Sequence, residues 1–119
     1  VDERVREIAG MLDLTGKLYL SDVAAVVERA RLFIGNDSGV MHISAAMGAP
    51  TLGLFGPSDE MLYGPYGEKC ATVRGPRGLE ATQSEFPNWR QHPSSLLDDL
   101  RVPVVIEAAK KLLERTEEA

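Results

Sequence analysis

Three observations in the sequence predict an α/β fold in which helices flank a parallel sheet. Two short apolar runs, Leu32-Phe33-Ile34 and Thr51-Leu52-Gly53-Leu54-Phe55, lack the polar alternation of a half-exposed antiparallel strand and read as strands buried on both faces. Between them a polar, Gly-flanked turn leads into an apolar segment that stops at Gly48, the arrangement of a strand-helix-strand unit. The length of 119 residues and the 44% hydrophobic content supply one modest core and no more.

Each element follows in order. Val1, Val5, Ile8 and Leu12 recur at helical spacing with no initiator Met or N-cap residue ahead of them, as though the chain were entered partway along a longer one. Ser21 reads as the N-cap of a second helix that turns Val23, Val26, Val27 and Ala30 inward and leaves Glu28 and Arg29 to solvent. The first strand ends at Gly35, and Gly35 to Gly39 form a tight polar turn. Val40 to Met47 is apolar on nearly all sides and predicts a short buried helix, closed by Gly48 with Pro50 barring its continuation. The second strand gives way to the loop Gly56-Pro57-Ser58-Asp59, and Ala71-Thr72-Val73 predicts a third. From Gly75 to Leu100, Pro76, Gly78, Pro87 and Pro93 interrupt any period, which predicts an irregular surface excursion pinned by Phe86 and Trp89. An amphipathic helix from about Pro103 closes the chain, with Val104, Val105, Ala108, Leu112 and Leu113 inward and Lys110, Lys111, Glu114 and Arg115 mostly outward. Three strands leave a sheet edge open, and apolar edges are usually paired or covered, so further strands of the same sheet are expected ahead of Val1.

Composition excludes several classes of function. Thirteen Lys and Arg against eighteen Asp and Glu give a net charge of −5, which argues against general electrostatic binding of nucleic acid or anionic lipid. The lone cysteine, Cys70, rules out an internal disulfide, favours a reducing compartment and reads as structural. No apolar run approaches the roughly 18 residues of a membrane span. His92 has neither a nearby cysteine nor a paired histidine, so no metal site is expected, and nucleotide-loop and zinc-helix motifs are absent from the sequence.

The chemistry concentrates in Gly35-Asn36-Asp37-Ser38-Gly39-Val40-Met41-His42. In parallel α/β sheets ligands gather beyond the carboxyl ends of the strands, where loops enter helix N-termini rich in unpaired N–H groups. A diphosphate could sit there on backbone amides, with Gly35 and Gly39 allowing close approach, the Ser38 hydroxyl donating, and His42 reaching back from the first helical turn. From Leu32 to Glu68 there is no Lys or Arg, so any cationic clamp must come from outside that segment. Asp37 would repel a phosphate set against it and is better suited to capping the helix or to accepting hydrogen bonds from neutral hydroxyls such as those of a sugar. The plainer alternatives are that Asp37 or Ser38 is only an N-cap and that His42 is a hydrogen-bonded core histidine. Spacing alone supports an α/β anion-binding unit without naming its ligand.

The full string L-F-I-G-N-D-S-G-V-M-H-I-S-A-A-M-G-A-P-T-L-G-L-F-G-P-S-D, continuing to Y-G-P-Y-G, closely resembles the C-terminal domain of glycosyltransferase family 9, the ADP-heptose:lipopolysaccharide heptosyltransferases. Upstream, D-L-T-G-K-L-Y-L-S-D-V-A-A-V-V-E-R-A is similar to the family segment leading into the same strand; downstream, the V-I-E-A-A-K-K-L-L helix falls where the family has one. The resemblance implies a Rossmann-like parallel sheet forming part of the C-terminal, donor-binding half of a two-domain GT-B enzyme. Its N-terminal acceptor domain and the first part of the donor domain would precede Val1. Asp37, Ser38, Gly39 and His42 match the family's D-[ST]-G-x-x-H signature, which contacts the diphosphate and sugar of the donor, and Leu18 stands where an apolar residue can meet the nucleotide. The implied reaction is an inverting, metal-independent transfer of heptose from ADP-heptose to the lipopolysaccharide inner core, with no cofactor beyond the donor substrate. No catalytic residue is expected within these residues, because the family's acidic base lies in the N-terminal domain and its nucleotide-binding Lys lies early in the C-terminal one. The segment alone is therefore expected to be inactive. The implied location is cytoplasmic, and the resemblance leaves open a peripheral association with the inner membrane. Where many relatives carry several cysteines, Gly75 to Leu100 has none. Two other readings remain at this stage: a GT-B transferase using another sugar nucleotide, and a non-catalytic module that binds nucleotides or sugar phosphates.

Overall fold

The computed structural model describes residues 10–92 and 96–117. Helix α1 spans Leu20–Glu28, strand β1 Phe33–Asn36, helix α2 Gly39–Ala46, strand β2 Thr51–Phe55, the one-turn helix α3 Glu60–Tyr63, strand β3 Cys70–Arg74, helix α4 Leu79–Glu85, a 3-10 turn Trp89–Gln91, and helix α5 Val102–Glu117. The strands form one sheet in the order β1-β2-β3, and both pairings are parallel, with Phe33 opposite Thr51 and Thr51 opposite Cys70. This is the predicted class: a Rossmann-like sheet with helices on it.

Strand β2 occupies the centre. Thr51, Leu52, Gly53 and Phe55 are all buried, as a strand paired on both edges and covered on both faces must be. On one face Leu52 joins Ala109 and Leu112 of α5, with Leu32, Leu54, Ala71, Val73, Val105 and Ala108 around them. On the other face lies α2. Its buried Ser44 is 2.8 Å from the Thr51 hydroxyl, which donates to the Ala49 carbonyl at 2.9 Å, so the proton between the two hydroxyls comes from Ser44. Gly53 is a glycine for reasons of space. A Cβ there would lie 2.8 Å from Met41 Sδ and 2.8 Å from the Phe55 ring.

Helix α2 ends as the sequence predicts. Gly48 adopts φ 83°, its N–H bonds the Ala45 carbonyl, and the Ala49 N–H bonds the Ser44 carbonyl, the paired closure that only a left-handed residue supplies.

Several local expectations are corrected. Helix α1 begins at Leu20 rather than after Ser21: the cap position is Tyr19, whose N–H is accepted by the Asp22 carboxylate at 3.0 Å. Asp22 three residues on outcompetes Ser21 because its carboxylate can reach back over the exposed turn. Val26 is 47% exposed instead of inward. Strand β1 extends to Asn36 and alternates in burial, with Ile34 exposed, because α5 crosses β2 and β3 and leaves that face of β1 uncovered. Helix α2 buries Met41 and Ser44 while His42 and Ala46 stay exposed, so it is a one-sided helix and not a wholly buried one. Val104 is likewise exposed, its place in the core taken by Ala109. Leu12 lies outside any helix and is exposed, and the rest of the predicted first helix, residues 1–9, falls outside the described residues.

The segment after Gly75 is also more ordered than its prolines suggest. It contains α4 and the 3-10 turn; Phe86 and Trp89 are half-buried and each carries an arginine over its ring, and Arg77 is a further anchor that the sequence did not reveal. The Arg77 backbone N–H bonds Asp99 at 2.9 Å, its Nε bonds the Thr82 hydroxyl at 3.2 Å, and its guanidinium lies over the Phe86 ring at 5.3 Å. Local hydrogen bonding thus replaces periodicity, and it reads poorly from sequence.

Gly53→Ala tests the packing of the central strand. Met41 and Phe55 must move to admit the methyl group, so urea unfolding of the variant is expected to show a loss of about 1–3 kcal/mol; unchanged stability would show slack between α2 and β2.

Candidate functional site

The carboxyl ends of β1 and β2 carry the candidate site. Past Asn36 the chain runs through Asp37 to Ser38, the N-cap of α2, which is extended at φ −155° and ψ 167°. The Ser38 hydroxyl makes no bond to the helix. It is therefore not a side-chain cap, and the first-turn N–H groups of α2 do not have it as their acceptor. Gly39 opens the helix with no left-handed φ, and a Cβ there would meet nothing within 4 Å. Neither backbone conformation nor packing calls for glycine at 39, whereas a ligand approaching the helix end would.

One turn further, His42 Nε2 lies 3.9 Å from Asp37 Oδ1, with the two side chains 48% and 31% exposed. That exposure disposes of the core-histidine alternative. Asp37, Ser38, Gly39 and His42 are brought together at one helix end, open to solvent, with a donor-capable imidazole and an acceptor carboxylate side by side.

Leu18, the fifth candidate, lies elsewhere. It is half-buried and lines an apolar hollow of about 460 Å³ with Leu14, Val23, Val26, Val27 and Val40. Val40 belongs to the first turn of α2, so this hollow borders the helix end from one side. A second cleft, of about 150 Å³, also borders this end of the sheet, lined by Asn36, Asp37, Leu54, Gly56, Pro57, Ser58, Trp89 and Leu97.

The wall of this second cleft is held by side chains that sequence reasoning missed. Arg74, at the end of β3, donates from Nη1 to the Gly56 carbonyl at 2.6 Å and from Nη2 to the Ser58 carbonyl at 2.9 Å. Gln83 of α4 donates to the intervening Pro57 carbonyl at 2.8 Å. Arg74 also makes a two-pronged pair with Glu60, Nε to Oε2 at 2.7 Å and Nη2 to Oε1 at 3.0 Å. The arginine that comes nearest to supplying a cation is thus engaged in shaping the loop. Its one trace in the sequence is a charge at the end of a predicted strand. The hydrogen bond from Arg74 holds the Glu60 carboxyl below its ordinary range. Burial pushes the Cys70 thiol up, in keeping with a structural role.

A three-stranded parallel sheet flanked by helices defines a Rossmann-like unit, and its structural relatives are GT-B glycosyltransferases. The chain belongs to glycosyltransferase family 9 (heptosyltransferase), whose model matches residues 2–88. It is 32% identical over 79 residues to lipopolysaccharide heptosyltransferase 1 of Escherichia coli K12, covering 64% of this chain and 25% of that protein. It is 31% identical over 101 residues to lipopolysaccharide heptosyltransferase 2 of Salmonella typhimurium LT2, covering 85% and 28%. Among solved structures it is similar to the glycosyl transferase family 9 protein from Veillonella parvula, with a TM-score of 0.67, 32% identity and coverage of 84% and 28%. It is also similar to E. coli heptosyltransferase WaaC with ADP, with a TM-score of 0.61, 25% identity and coverage of 81% and 25%. The chain spans about a quarter of the length of the curated relatives it matches.

The Glu60–Arg74 pair sets a pH dependence. A carboxyl whose pKa is depressed on folding stabilises the fold above its unfolded pKa of 4.5 and loses that contribution as pH falls through its folded value. Glu60→Gln is expected to cost about 1–3 kcal/mol at pH 7 and to flatten the fall in urea midpoint below pH 4.5. A variant that keeps the wild-type acid limb would assign that limb to other carboxylates.

Proposed function

We propose that this chain is the greater part of the donor-binding half of a lipopolysaccharide heptosyltransferase, and that it holds ADP-heptose for transfer to the inner core. The observation that carries the reading is that two unlike cavities are lined by residues adjoining the α2 N-terminus, Val40 in one and Asn36 and Asp37 in the other. A nucleoside diphosphate sugar has an aromatic base, a diphosphate and a neutral sugar, in that order. The apolar hollow around Leu18 and Val40 suits the base, the helix N-terminus suits the diphosphate, and the cleft beside Asp37 suits the sugar.

The chemistry follows from the charges. When an acceptor hydroxyl attacks the anomeric carbon, the sugar–phosphate bond breaks and negative charge grows on the departing diphosphate. N–H groups aimed at that charge by a preorganised helix, with His42 donating beside them, stabilise it more in the transition state than in the ground state. Asp37 accepts from sugar hydroxyls and orients the ring. In keeping with the resemblance to the family, we take the transfer to be inverting and metal-independent, with the acceptor, its activating base and a lysine for the diphosphate supplied by parts of the enzyme outside this segment. We further propose a cytoplasmic location for the enzyme, in keeping with the resemblance to the family.

Calorimetric titration with ADP-heptose of a full-length enzyme carrying this segment tests the assignment. His42→Ala and Asp37→Ala are each expected to weaken binding at least about threefold, roughly 0.65 kcal/mol; two variants that bind as tightly as wild type would show the site to be wrong. Gly39→Ala separates binding from folding. Reduced chain entropy in the unfolded state is expected to stabilise the fold by about 0.4–1 kcal/mol, while the added methyl group obstructs the diphosphate and weakens ADP binding. Unimpaired ADP binding by this variant would place the diphosphate elsewhere.

A further inference from the structure

Two of the residues lining the cleft beside Asp37, Trp89 and Leu97, come from the chain beyond residue 88, where the match to the family model ends. We propose that Trp89 and Leu97 form the wall that selects the sugar of the donor, an apolar surface for the C–H face of a saccharide ring whose hydroxyls bond Asp37. The inference rests on the donor-binding reading above and deepens it by assigning specificity to residues outside the shared signature.

The cleft's contents argue for a neutral, polyhydroxylated ligand. Its polar lining is Asn36, Asp37 and the buried Ser58, and its apolar lining is Leu54, Pro57, Trp89 and Leu97. Arg74, next to it, is taken up by Glu60 and the loop carbonyls, and no Lys or Arg is among the described residues lining the cleft to offset the charge a phosphate would bring against Asp37. A carboxylate opposite an indole is instead the pairing a sugar uses, hydroxyls to one side and C–H bonds to the other.

Both residues are held in place by contacts that serve no evident purpose in the main core. Trp89 begins the 3-10 turn, its N–H bonds the Phe86 carbonyl at 3.0 Å, and the Arg90 guanidinium lies 4.3 Å over its ring. Leu97 follows Leu96, which is 3% exposed and adopts a left-handed φ of 54°. A leucine in that conformation costs on the order of 1 kcal/mol and persists only where surrounding contacts impose it. Here Leu96 is buried and its carbonyl accepts from Arg77 at 3.5 Å, while Asp99 three residues on accepts from the Arg77 N–H. The turn so fixed presents Leu97 to the cleft.

The test is calorimetry on a full-length enzyme carrying this segment, with ADP and ADP-heptose as separate probes. Trp89→Ala is expected to weaken ADP-heptose about tenfold while ADP binding stays at the wild-type level. Trp89→Phe, which keeps an aromatic face, should retain most of the ADP-heptose affinity, and Leu97→Phe, which narrows the cleft, should weaken ADP-heptose and spare ADP. Equal loss of both ligands in Trp89→Ala and Leu97→Phe would place the base or the fold's integrity at this wall, and no loss of either would leave it without a role; each overturns the inference. His42→Ala keeps the two readings apart. It should weaken both ligands alike if the diphosphate sits on α2, and a null effect of His42→Ala beside a selective effect of Trp89→Ala would remove the diphosphate assignment and leave the sugar wall standing.

Discussion

Strand β2 is the most deeply buried strand of the sheet, and most of the structure follows from that constraint. Its backbone must be paired on both edges, which brings β1 and β3 alongside in parallel. Its side chains must be covered on both faces, which sets α2 against Thr51 and Gly53 and α5 against Leu52. Parallel neighbours require crossovers, and every crossover returns the chain to the same end of the sheet. The carboxyl ends of β1 and β2 therefore open side by side, and the helix that covers one face of β2 necessarily presents its N-terminus there. The candidate site is a by-product of burying this one strand.

What turns this end of the sheet into a shaped site is the fastening of the loop that leaves β2. Three successive carbonyls, Gly56, Pro57 and Ser58, each accept from a side chain of a later element. Carbonyls in a loop would otherwise be left to solvent, and a loop solvated in this way is mobile. Arg74 carries two of the bonds and is itself neutralised by Glu60, so the loop is fixed without leaving a free cation in the cleft. The consequence for recognition is a division of labour by charge: backbone dipoles and a histidine at the helix end, and a carboxylate facing apolar walls beside it.

The strands, their parallel order and the closure of α2 were legible because each has a local cause. Thr51–Phe55 is an unbroken apolar run, and Gly48 followed by Pro50 permits one ending only. The Asp37–His42 cluster was legible for the same reason, since residues within one turn of a helix start must converge. Burial on individual helix faces was not: Val26 and Val104 are apolar yet exposed, because which face a helix buries depends on where its neighbours run. Arg74, Gln83, Trp89 and Leu97 were invisible as site residues because they reach the cleft from elements far along the chain, through pairings that no spacing encodes. Arg77 shows the same limit. Between Pro76 and Gly78 it reads as a loop residue, and it organises the loop through partners up to Asp99.

The central claim is that the N-terminus of α2 is the seat of a diphosphate. A crystal structure of a full-length enzyme carrying this segment, soaked with ADP, addresses it most directly. The account predicts phosphate oxygens at hydrogen-bonding distance, about 2.7–3.2 Å, from the backbone N–H groups of Gly39 and Val40, with His42 Nε2 turned from Asp37 toward the same oxygens. A diphosphate bound away from α2, with the Asp37–His42 approach of 3.9 Å undisturbed, would contradict it.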